Sequence, residues 1–259
     1  MNTKTAVAEP WLIEKLRKEE LEEARAIQNV MLPAESLQTG RARISHHFQP
    51  VAEVGGDFVD YFKLSDGCIG LYLGDVSGKG LPAALYAALA VGTLRGVHKT
   101  GQSPSDVLAT LNRRLVLRGV PRRYCAVQYA VFNPETHEMR IAGAGMVGPL
   151  HLSAQGSSAL QIPGIPPGLY NYVDYETSTL SLEQGDSVLF YTDGITEALN
   201  PEDEEFGIKR LQAVCDEQLR VPSSALLEGI FAATESFRCG RSQQDDMAAA
   251  VFRWESEEA

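Results

Sequence analysis

The sequence contains the run Leu71-Tyr72-Leu73-Gly74-Asp75-Val76-Ser77-Gly78-Lys79-Gly80, in which a strand-like apolar stretch ends in a carboxylate among three glycines. A helical pattern begins immediately afterwards, at Leu81-Pro82. Because glycine tolerates positive φ and the close approach of other groups, this corner can present Asp75 and bare backbone carbonyls to one point. Such oxygen ligands suit Mg²⁺ or Mn²⁺, although Asp and Gly also collect in plain turns.

The length and composition are those of an ordinary globular protein. The 259 residues can form one large domain or two small ones, and 44% of them are hydrophobic. No run approaches the roughly 18 consecutive apolar residues of a membrane span, and no signal peptide is recognised, so we expect a cytoplasmic protein. The net charge of −11 argues against a nucleic-acid partner, whose phosphates favour Lys and Arg. The cysteines predict reduced packing thiols rather than zinc or disulfides, at Cys68, Cys125, Cys215 and Cys239.

The periodicity of the chain predicts strands interrupted by helical pairs. Helices are predicted at residues 11–31, 80–99, 103–118, 207–219 and 223–237. Strands are predicted at residues 41–48, 58–64, 69–73, 125–132, 138–143, 149–152, 175–182, 187–191 and 247–254. The strand at 187–191 is apolar throughout, so we expect it to be central. This order predicts an α+β fold in which helices cover the outer faces of two packed sheets.

Acidic residues stand beside several of the apolar strands: Asp57, Asp75, Asp193, Asp245 and Asp246. A carboxylate at the end of a buried strand costs free energy unless it is paired or bound to a metal. One such residue, Asp193 before Gly194 for example, has a plain alternative as a turn or helix cap. The recurrence of the pattern at four strand ends favours a shared metal site.

The acidic motifs look like those of the metal-dependent type 2C protein phosphatases, and most closely the bacterial SpoIIE and RsbU branch. The matching pieces are Gly55-Gly56-Asp57-Phe58-Val59-Asp60, Gly74-Asp75-Val76-Ser77-Gly78-Lys79-Gly80, Tyr191-Thr192-Asp193-Gly194-Ile195-Thr196-Glu197-Ala198, Glu205-Phe206-Gly207 and Gln244-Asp245-Asp246-Met247. The resemblance runs from about Ala24 to Phe252 in family order. No single piece is decisive, but the ordered set is highly specific.

The resemblance implies a β-sandwich of two antiparallel sheets flanked by helices, with two Mn²⁺ or Mg²⁺ ions at one edge. Asp57 and Asp75 are the implied catalytic residues, Asp75 bridging both ions and Asp57 holding the second ion or orienting its waters. The other implied ligands are the Val76 carbonyl, Asp193, Asp245 and the adjacent Asp246. Two such ions, about 3.5–4 Å apart, lower the pKa of a bridging water, which would attack phosphorus directly without a phosphoenzyme.

Some positions depart from the family pattern. Lys79 stands where the branch often has His; it could attract phosphate, but a solvated side chain is slightly favoured. Ser77 takes the position of a proposed His proton donor of eukaryotic members, and the sequence offers no counterpart of their phosphate-binding Arg. His46 and His47 lie on an alternating strand, where a surface or packing role is favoured over catalysis.

The resemblance also implies a substrate and partners. The branch typically acts on phosphoserine or phosphothreonine of small STAS-domain proteins (anti-anti-sigma factors) in stress-response partner switching. Residues 1–33 are predicted to be a linker or regulatory helix, 34–254 the phosphatase domain, and 255–259 an acidic tail. The helices at 81–99 and 103–118 resemble regulatory helices that form a homodimer. The N-terminal helix either packs on its own domain or relays a signal from a sensor or partner.

Two other function classes remain open from the sequence alone. One is a pseudophosphatase that binds a phosphoprotein without turnover, which the intact acidic set disfavours. The other is a metal-dependent hydrolase of small phosphate esters or nucleotides. Nucleotide use has no positive support, because the chain has neither a Walker-type loop nor an array of base-stacking aromatics.

Overall fold

The computed structural model describes residues 10–98 and 102–255. Its helices are α1 (Pro10–Met31), α2 (Gly80–Val97), α3 (Pro104–Leu117), α4 (Asp193–Thr196), α5 (Gly207–Glu217) and α6 (Ser223–Arg238). Its strands are β1 (Leu37–Thr39), β2 (Ala42–Gln49), β3 (Phe58–Lys63), β4 (Ile69–Val76), β5 (Cys125–Asn133), β6 (Glu138–Ala144), β7 (Leu150–Ser153), β8 (Gly156–Ala159), β9 (Ser178–Ser181), β10 (Ser187–Tyr191) and β11 (Met247–Trp254).

The strands form two antiparallel sheets. One sheet has the order β1-β2-β11-β10-β7-β8 and the other has the order β3-β4-β5-β6-β9. The predicted central strand, β10, is indeed flanked by β11 and β7. The last strand, β11, pairs with β2, so that Trp254 lies opposite Ala42.

Three apolar clusters separate four layers of secondary structure. The middle cluster lies between the sheets and includes Leu71 and Phe190. A second cluster, which includes Tyr72 and Leu111, joins the β3–β9 sheet to α2 and α3. A third joins the other sheet to α5 and α6. The predicted α+β sandwich with helices on both outer faces is therefore confirmed.

Most element boundaries agree with the sequence prediction, and the exceptions have local causes. Strand β4 continues through Asp75 to Val76 instead of ending at residue 73, because Asp75 pairs in register with Ala126 of β5. The short polar strands β1 and β8 were not predicted, since they lack an apolar alternation. The predicted strand at 175–182 is reduced to β9. The predicted end of the second helix, Lys99, lies outside the described residues.

Helix α3 begins as its sequence predicts. Ser103 is the N-cap, and its hydroxyl accepts a hydrogen bond from the backbone N–H of Asp106 at 3.3 Å. Pro104 takes the first helical position, where the missing N–H costs nothing.

Helix α2 is long and rich in apolar residues. By length and composition alone, Gly80–Val97 could cross a membrane, and half of it is buried inside the fold. Ala and Leu fill this helix because it packs on both α3 and β4. The prediction that no run reaches about 18 consecutive apolar residues still holds, because Pro82, Thr93 and Arg95 interrupt the apolar residues of this helix.

The cysteines follow the prediction with one exception. All four are free thiols, and Cys68, Cys125 and Cys215 are buried. Cys239 is exposed instead, because it ends α6 in the left-handed conformation that turns the chain away from the core.

One buried carboxylate ties the helical layer to the β3–β4 hairpin. Asp60 lies opposite Tyr72 in the β3–β4 register, and its Oδ2 accepts the Tyr72 hydroxyl at 2.8 Å. The same oxygen accepts Nε of Arg95 on α2 at 2.7 Å. Arg95 also donates to the carbonyl of Met31, the last residue of α1. This network therefore holds α1, α2 and the hairpin together.

We predict that Asp60→Ala lowers the free energy of unfolding by about 2–3 kcal/mol, because it leaves a hydroxyl and a guanidinium without their acceptor. Urea denaturation of the variant and of Glu217→Ala, an exposed change at the end of α5, measures the effect. An Asp60 variant as stable as the Glu217 control would contradict this role.

Candidate metal centre

Alternation along the strands carries acidic side chains to one end of the sandwich. Residues two apart on a strand face the same side of its sheet. Leu73 faces the opposite sheet, so the same face of β4 continues to Asp75. Val59 of β3 also faces the opposite sheet. Asp57 stands two residues earlier, just before β3, and therefore lies on the same side. The space between the sheets thus changes from apolar to acidic within two residues on both strands.

Asp57 is the most deeply buried of the candidate ligands, with 2% of its surface exposed. Its Oδ2 accepts the hydroxyl of Thr192, which follows β10, at 2.7 Å. The Thr192 hydroxyl also accepts the N–H of Ala248 on β11 at 2.9 Å. Asp57 on one sheet is therefore held by residues of the other sheet.

Asp57 and Asp75 are close enough for the charge of Asp75 to act on the Asp57 carboxyl. Burial, followed by the charges of Asp75 and Asp246, raises the pKa of Asp57 well above its ordinary value. Burial and the charge of Asp193 raise the pKa of Asp75 to about 7. Burial and mutual repulsion therefore oppose the ionisation of both carboxyls.

Asp193 and Asp245 complete the exposed side of the cluster. Burial and the charge of Asp245 raise the pKa of Asp193. Asp245 lies at the mouth of the cluster, where its Oδ2 is 3.1 Å from Nζ of Lys79. The side chain of Lys79 is thus paired as well as partly exposed, and the prediction that it is simply solvated was wrong. The two residues are remote in sequence, so no local pattern indicated their contact.

Asp246 is bonded differently from the other four carboxylates. Its Oδ1 accepts the N–H of Val51 at 2.8 Å, and its Oδ2 accepts the N–H of Gly56 at 2.6 Å. Burial raises its pKa, and these backbone donors oppose that rise. The carboxylate therefore anchors the segment that leads to Asp57.

Backbone atoms also converge on the cluster. A Cβ at Gly56 would lie 2.8 Å from the carbonyl oxygen of Val76, so only glycine lets this segment approach that predicted ligand. A Cβ at Gly194 would clash with the carbonyl of Asp246. These contacts explain why glycines stand beside the aspartates in the acidic motifs: each allows two segments to touch.

Three contacts around the cluster were not predicted from the sequence. Gln28 of α1 accepts the N–H of Gly55 at 3.0 Å and donates to its carbonyl at 2.6 Å. Arg123, just before β5, donates to the carbonyl of Ser77. Thr192 supplies the bridge between sheets. Of these residues, only Thr192 lies within one of the acidic motifs. The Arg123–Ser77 contact could have been predicted only from the antiparallel pairing of β4 with β5, which brings the two residues together.

The remaining candidates have structural surroundings. Nδ1 of His46 lies 2.9 Å from the Tyr61 hydroxyl, and the ring of His47 packs on Phe231. These contacts are of the kind expected for the surface or packing role that the sequence favours. The Ser77 hydroxyl accepts the N–H of Tyr124 at 3.1 Å.

The donor set fits a hard divalent cation. The structure brings together all five predicted Asp side chains and the Val76 carbonyl, all of which are oxygen donors. Burial and mutual repulsion raise the pKa of four of them, so nearby positive charge would stabilise their ionised forms. Across the described residues no three His, Cys, Asp or Glu side chains are already arranged as a metal cage. Their roles as ligands therefore remain predictions.

We predict that, in chelator, the stability of the protein falls as the pH rises from about 4 to 7. In this window the folded chain binds more protons than the unfolded chain, because folding raises the carboxyl pKa values, for Asp75 from 3.8 to about 7. The stability contributed by these carboxyls is complete at pH values below their pKa in the unfolded chain. It is lost at pH values above their pKa in the folded chain.

The measurement is urea denaturation of wild type and Asp57→Asn across this pH range. A tenfold change in a proton-binding constant corresponds to about 1.4 kcal/mol, and the variant, which keeps the Thr192 contact, should lose less stability with rising pH. Equal slopes for the two proteins would be the contrary result.

Comparisons with known proteins agree with this arrangement. The family profile described as stage II sporulation protein E (SpoIIE) matches residues 65–255. Phosphoserine phosphatase RsbU of Bacillus subtilis (strain 168) is 29% identical over 182 residues, which cover 70% of this chain and 54% of RsbU. The chain thus spans about half the length of that relative.

Two solved structures show the same fold. The SiaA-PP2C domain of Pseudomonas aeruginosa has a TM-score of 0.85 at 20% identity, covering 95% of this chain and 100% of that one. RsbX in complex with magnesium has a TM-score of 0.62 at 15% identity, covering 84% and 98%. Because the family profile spans most of the chain and includes the motifs from Asp75 to Asp246, the chain belongs to the SpoIIE family.

Proposed function

We propose that this chain is a metal-dependent protein serine/threonine phosphatase. The observation that carries the proposal is the convergence of five Asp side chains and the Val76 carbonyl at one end of the sandwich. Membership of the SpoIIE family and similarity to a phosphoserine phosphatase support the same activity.

The cofactor is Mn²⁺ or Mg²⁺, as two ions. Asp57, Asp75, Asp193, Asp245 and the Val76 carbonyl are the residues that would hold them. When bound, such ions activate the attacking water and neutralise charge on the phosphoryl oxygens. Magnesium in RsbX, a structure with this fold, supports the assignment. Asp246 is the weakest candidate ligand, because both its oxygens already accept backbone N–H groups.

Residues around the acidic cluster fix the position of Asp57 and place a positive charge nearby. Thr192 fixes the carboxyl of Asp57, and Asp246 fixes the turn before it, so the deepest ligand is preorganised. Lys79 places a positive charge at the mouth of the cluster, where it can attract a phosphoryl group. No side chain is assigned as the acid for the leaving group, since the Ser77 hydroxyl accepts the N–H of Tyr124 and donates to the carbonyl of Arg122 at 3.4 Å.

The substrate in this proposal is phosphoserine or phosphothreonine on a small STAS-domain regulatory protein, and the compartment is the cytoplasm. Both follow from the resemblance stated above, and similarity to RsbU supports a phosphoserine substrate. The alternatives are a phosphoprotein-binding pseudophosphatase and a hydrolase of small phosphoesters.

One assay separates the three functions. We predict Mn²⁺-dependent release of phosphate from a phosphoserine STAS protein, with slower hydrolysis of an aryl phosphate. Asp75→Asn should lower kcat at least about 100-fold, because removing even an indirect metal contact costs 10–100-fold. Glu217→Gln, far from the cluster, serves as the control. A pseudophosphatase would hydrolyse neither compound, and a small-ester hydrolase would prefer the aryl phosphate.

We further propose a homodimer formed through α2. Leu81, Leu85 and Leu89 recur every fourth residue on this helix and are all exposed, Leu85 at 65%. An uncharged stripe of this kind suits a two-fold contact, in which the same surface meets itself. In this proposal α1 relays a signal to the metal centre through the Gln28–Gly55 hydrogen bonds.

We predict a dimer in sedimentation and a monomer for Leu85→Glu, because burying two carboxylates at the centre of the contact is unfavourable. Leu169→Glu, the same change at an exposed position of the β8–β9 loop, is the matched control. A monomeric wild type whose activity survives deletion of residues 1–30 would refute both the dimer and the relay.

A further inference from the structure

Five arginines are concentrated on α3 and the loop after it, in a protein whose net charge is −11. This basic patch consists of Arg113, Arg114, Arg118, Arg122 and Arg123. No Asp or Glu occurs in the sequence between Asp106 and Glu135. The local charge is therefore opposite to that of the whole chain.

The patch is available to a partner. Arg113, Arg114, Arg118 and Arg122 are exposed, and Arg123 is half-buried. Within residues 10–98 and 102–255, none of the five forms an ion pair with a carboxylate. A favourable interaction with the α3 dipole accounts for Arg114 in its last turn and for Arg118 at its C-cap, but not for Arg122 and Arg123, which lie farther along the chain.

Apolar side chains are interleaved with these arginines. Leu117 is 83% exposed, and Val120 and Tyr124 are exposed beside it. Protein interfaces are enriched in Arg and Tyr around an apolar centre. The combination is typical of a protein-docking surface rather than of a face that is merely solvated.

The patch is joined directly to the metal centre. The N–H of Tyr124 donates to the Ser77 hydroxyl at 3.1 Å, and the guanidinium of Arg123 donates to the Ser77 carbonyl. Ser77 follows Val76, whose carbonyl oxygen lies against Gly56, the residue before Asp57. A phosphoprotein whose phosphate entered that cluster would therefore extend naturally over the loop from Arg118 to Tyr124.

We propose that the basic patch docks an acidic surface of the phosphoprotein substrate next to its phosphorylated residue. This inference rests on the proposed function and names the chemistry of its partner. An acidic substrate would be repelled by the chain as a whole, and the patch supplies local complementarity and steering. A second copy is a poor occupant, because a two-fold contact would place one arginine cluster against another.

The test uses two phosphoserine peptides of equal length, one flanked by Asp and Glu and the other by Ala and Gly. We expect kcat/KM for the acidic peptide to be about three- to tenfold higher, from two exposed charge pairs, and the preference to vanish in 0.5 M salt. Arg118→Glu/Arg122→Glu should abolish the preference through KM, and Arg118→Lys/Arg122→Lys should keep it. Hydrolysis of para-nitrophenyl phosphate should be unchanged in both variants.

The control with the same charge change is Lys209→Glu/Arg220→Glu, at positions on and just after α5 that lie outside the basic patch. Loss of the preference in this control, its survival in the Arg118/Arg122 charge reversal, or its absence in wild type would overturn the docking proposal. So would tighter binding of labelled single-stranded DNA than of the acidic peptide.

Fluorescence anisotropy of the labelled peptides separates this proposal from the proposed function, because it measures binding without turnover. An acidic-peptide preference that requires Arg118 and Arg122, without any hydrolysis, would uphold docking and refute the phosphatase. Mn²⁺-dependent hydrolysis with no preference in rate or binding would do the reverse.

Discussion

Repulsion among carboxylates held together at one end of a β-sandwich is the constraint on which this structure depends. Asp57 is almost completely buried, and the charge of Asp75 acts on its carboxyl. In a low-dielectric setting two such groups resist simultaneous ionisation. The fold therefore stores an unfavourable interaction that a proton or a divalent cation would relieve, and this property is the physical basis of the proposed metal site.

The apolar core of the sandwich offsets the destabilising repulsion within the acidic cluster. Large apolar side chains fill the space between the sheets up to Leu73 and Phe190, and the acidic residues begin only beyond them. The contact of Thr192 with Asp57 ties the two sheets together at that boundary. Helices α1 and α2 also contact segments next to the cluster, through the Gln28–Gly55 and Arg95–Asp60 hydrogen bonds. The proposed relay from the N-terminal helix rests on the first of these contacts.

Much of this arrangement was predictable from the sequence because the decisive signals are local. Alternating apolar residues identify most of the strands, and the order of acidic motifs identifies the family and its fold. The Ser103 cap and Pro104 fix the start of α3. The same local rules favour a surface or packing role for His46 and His47, and both side chains have contacts of that kind.

The rest depended on contacts between distant segments. Lys79 pairs with Asp245, and Arg123 reaches Ser77, only because the sheets bring these segments together. Strand β4 extends through Asp75 because of its pairing with β5, which its own sequence does not encode. Asp246 was expected to act as a ligand, and its bonds to Val51 and Gly56 give it an anchoring role that no motif indicates. Similarly, β1 and β8 are strands because they pair with β2 and β7, respectively, and not because of an apolar alternation in their own residues.

The most direct test of the central claim is calorimetric titration of the protein with Mn²⁺ near pH 6 in buffers of different ionisation enthalpy. If carboxyls with raised pKa values converge on shared cations, binding must displace protons, and the observed heat will vary with the buffer by roughly one proton or more per protein. Binding with no proton release, or no binding at all, would contradict the account.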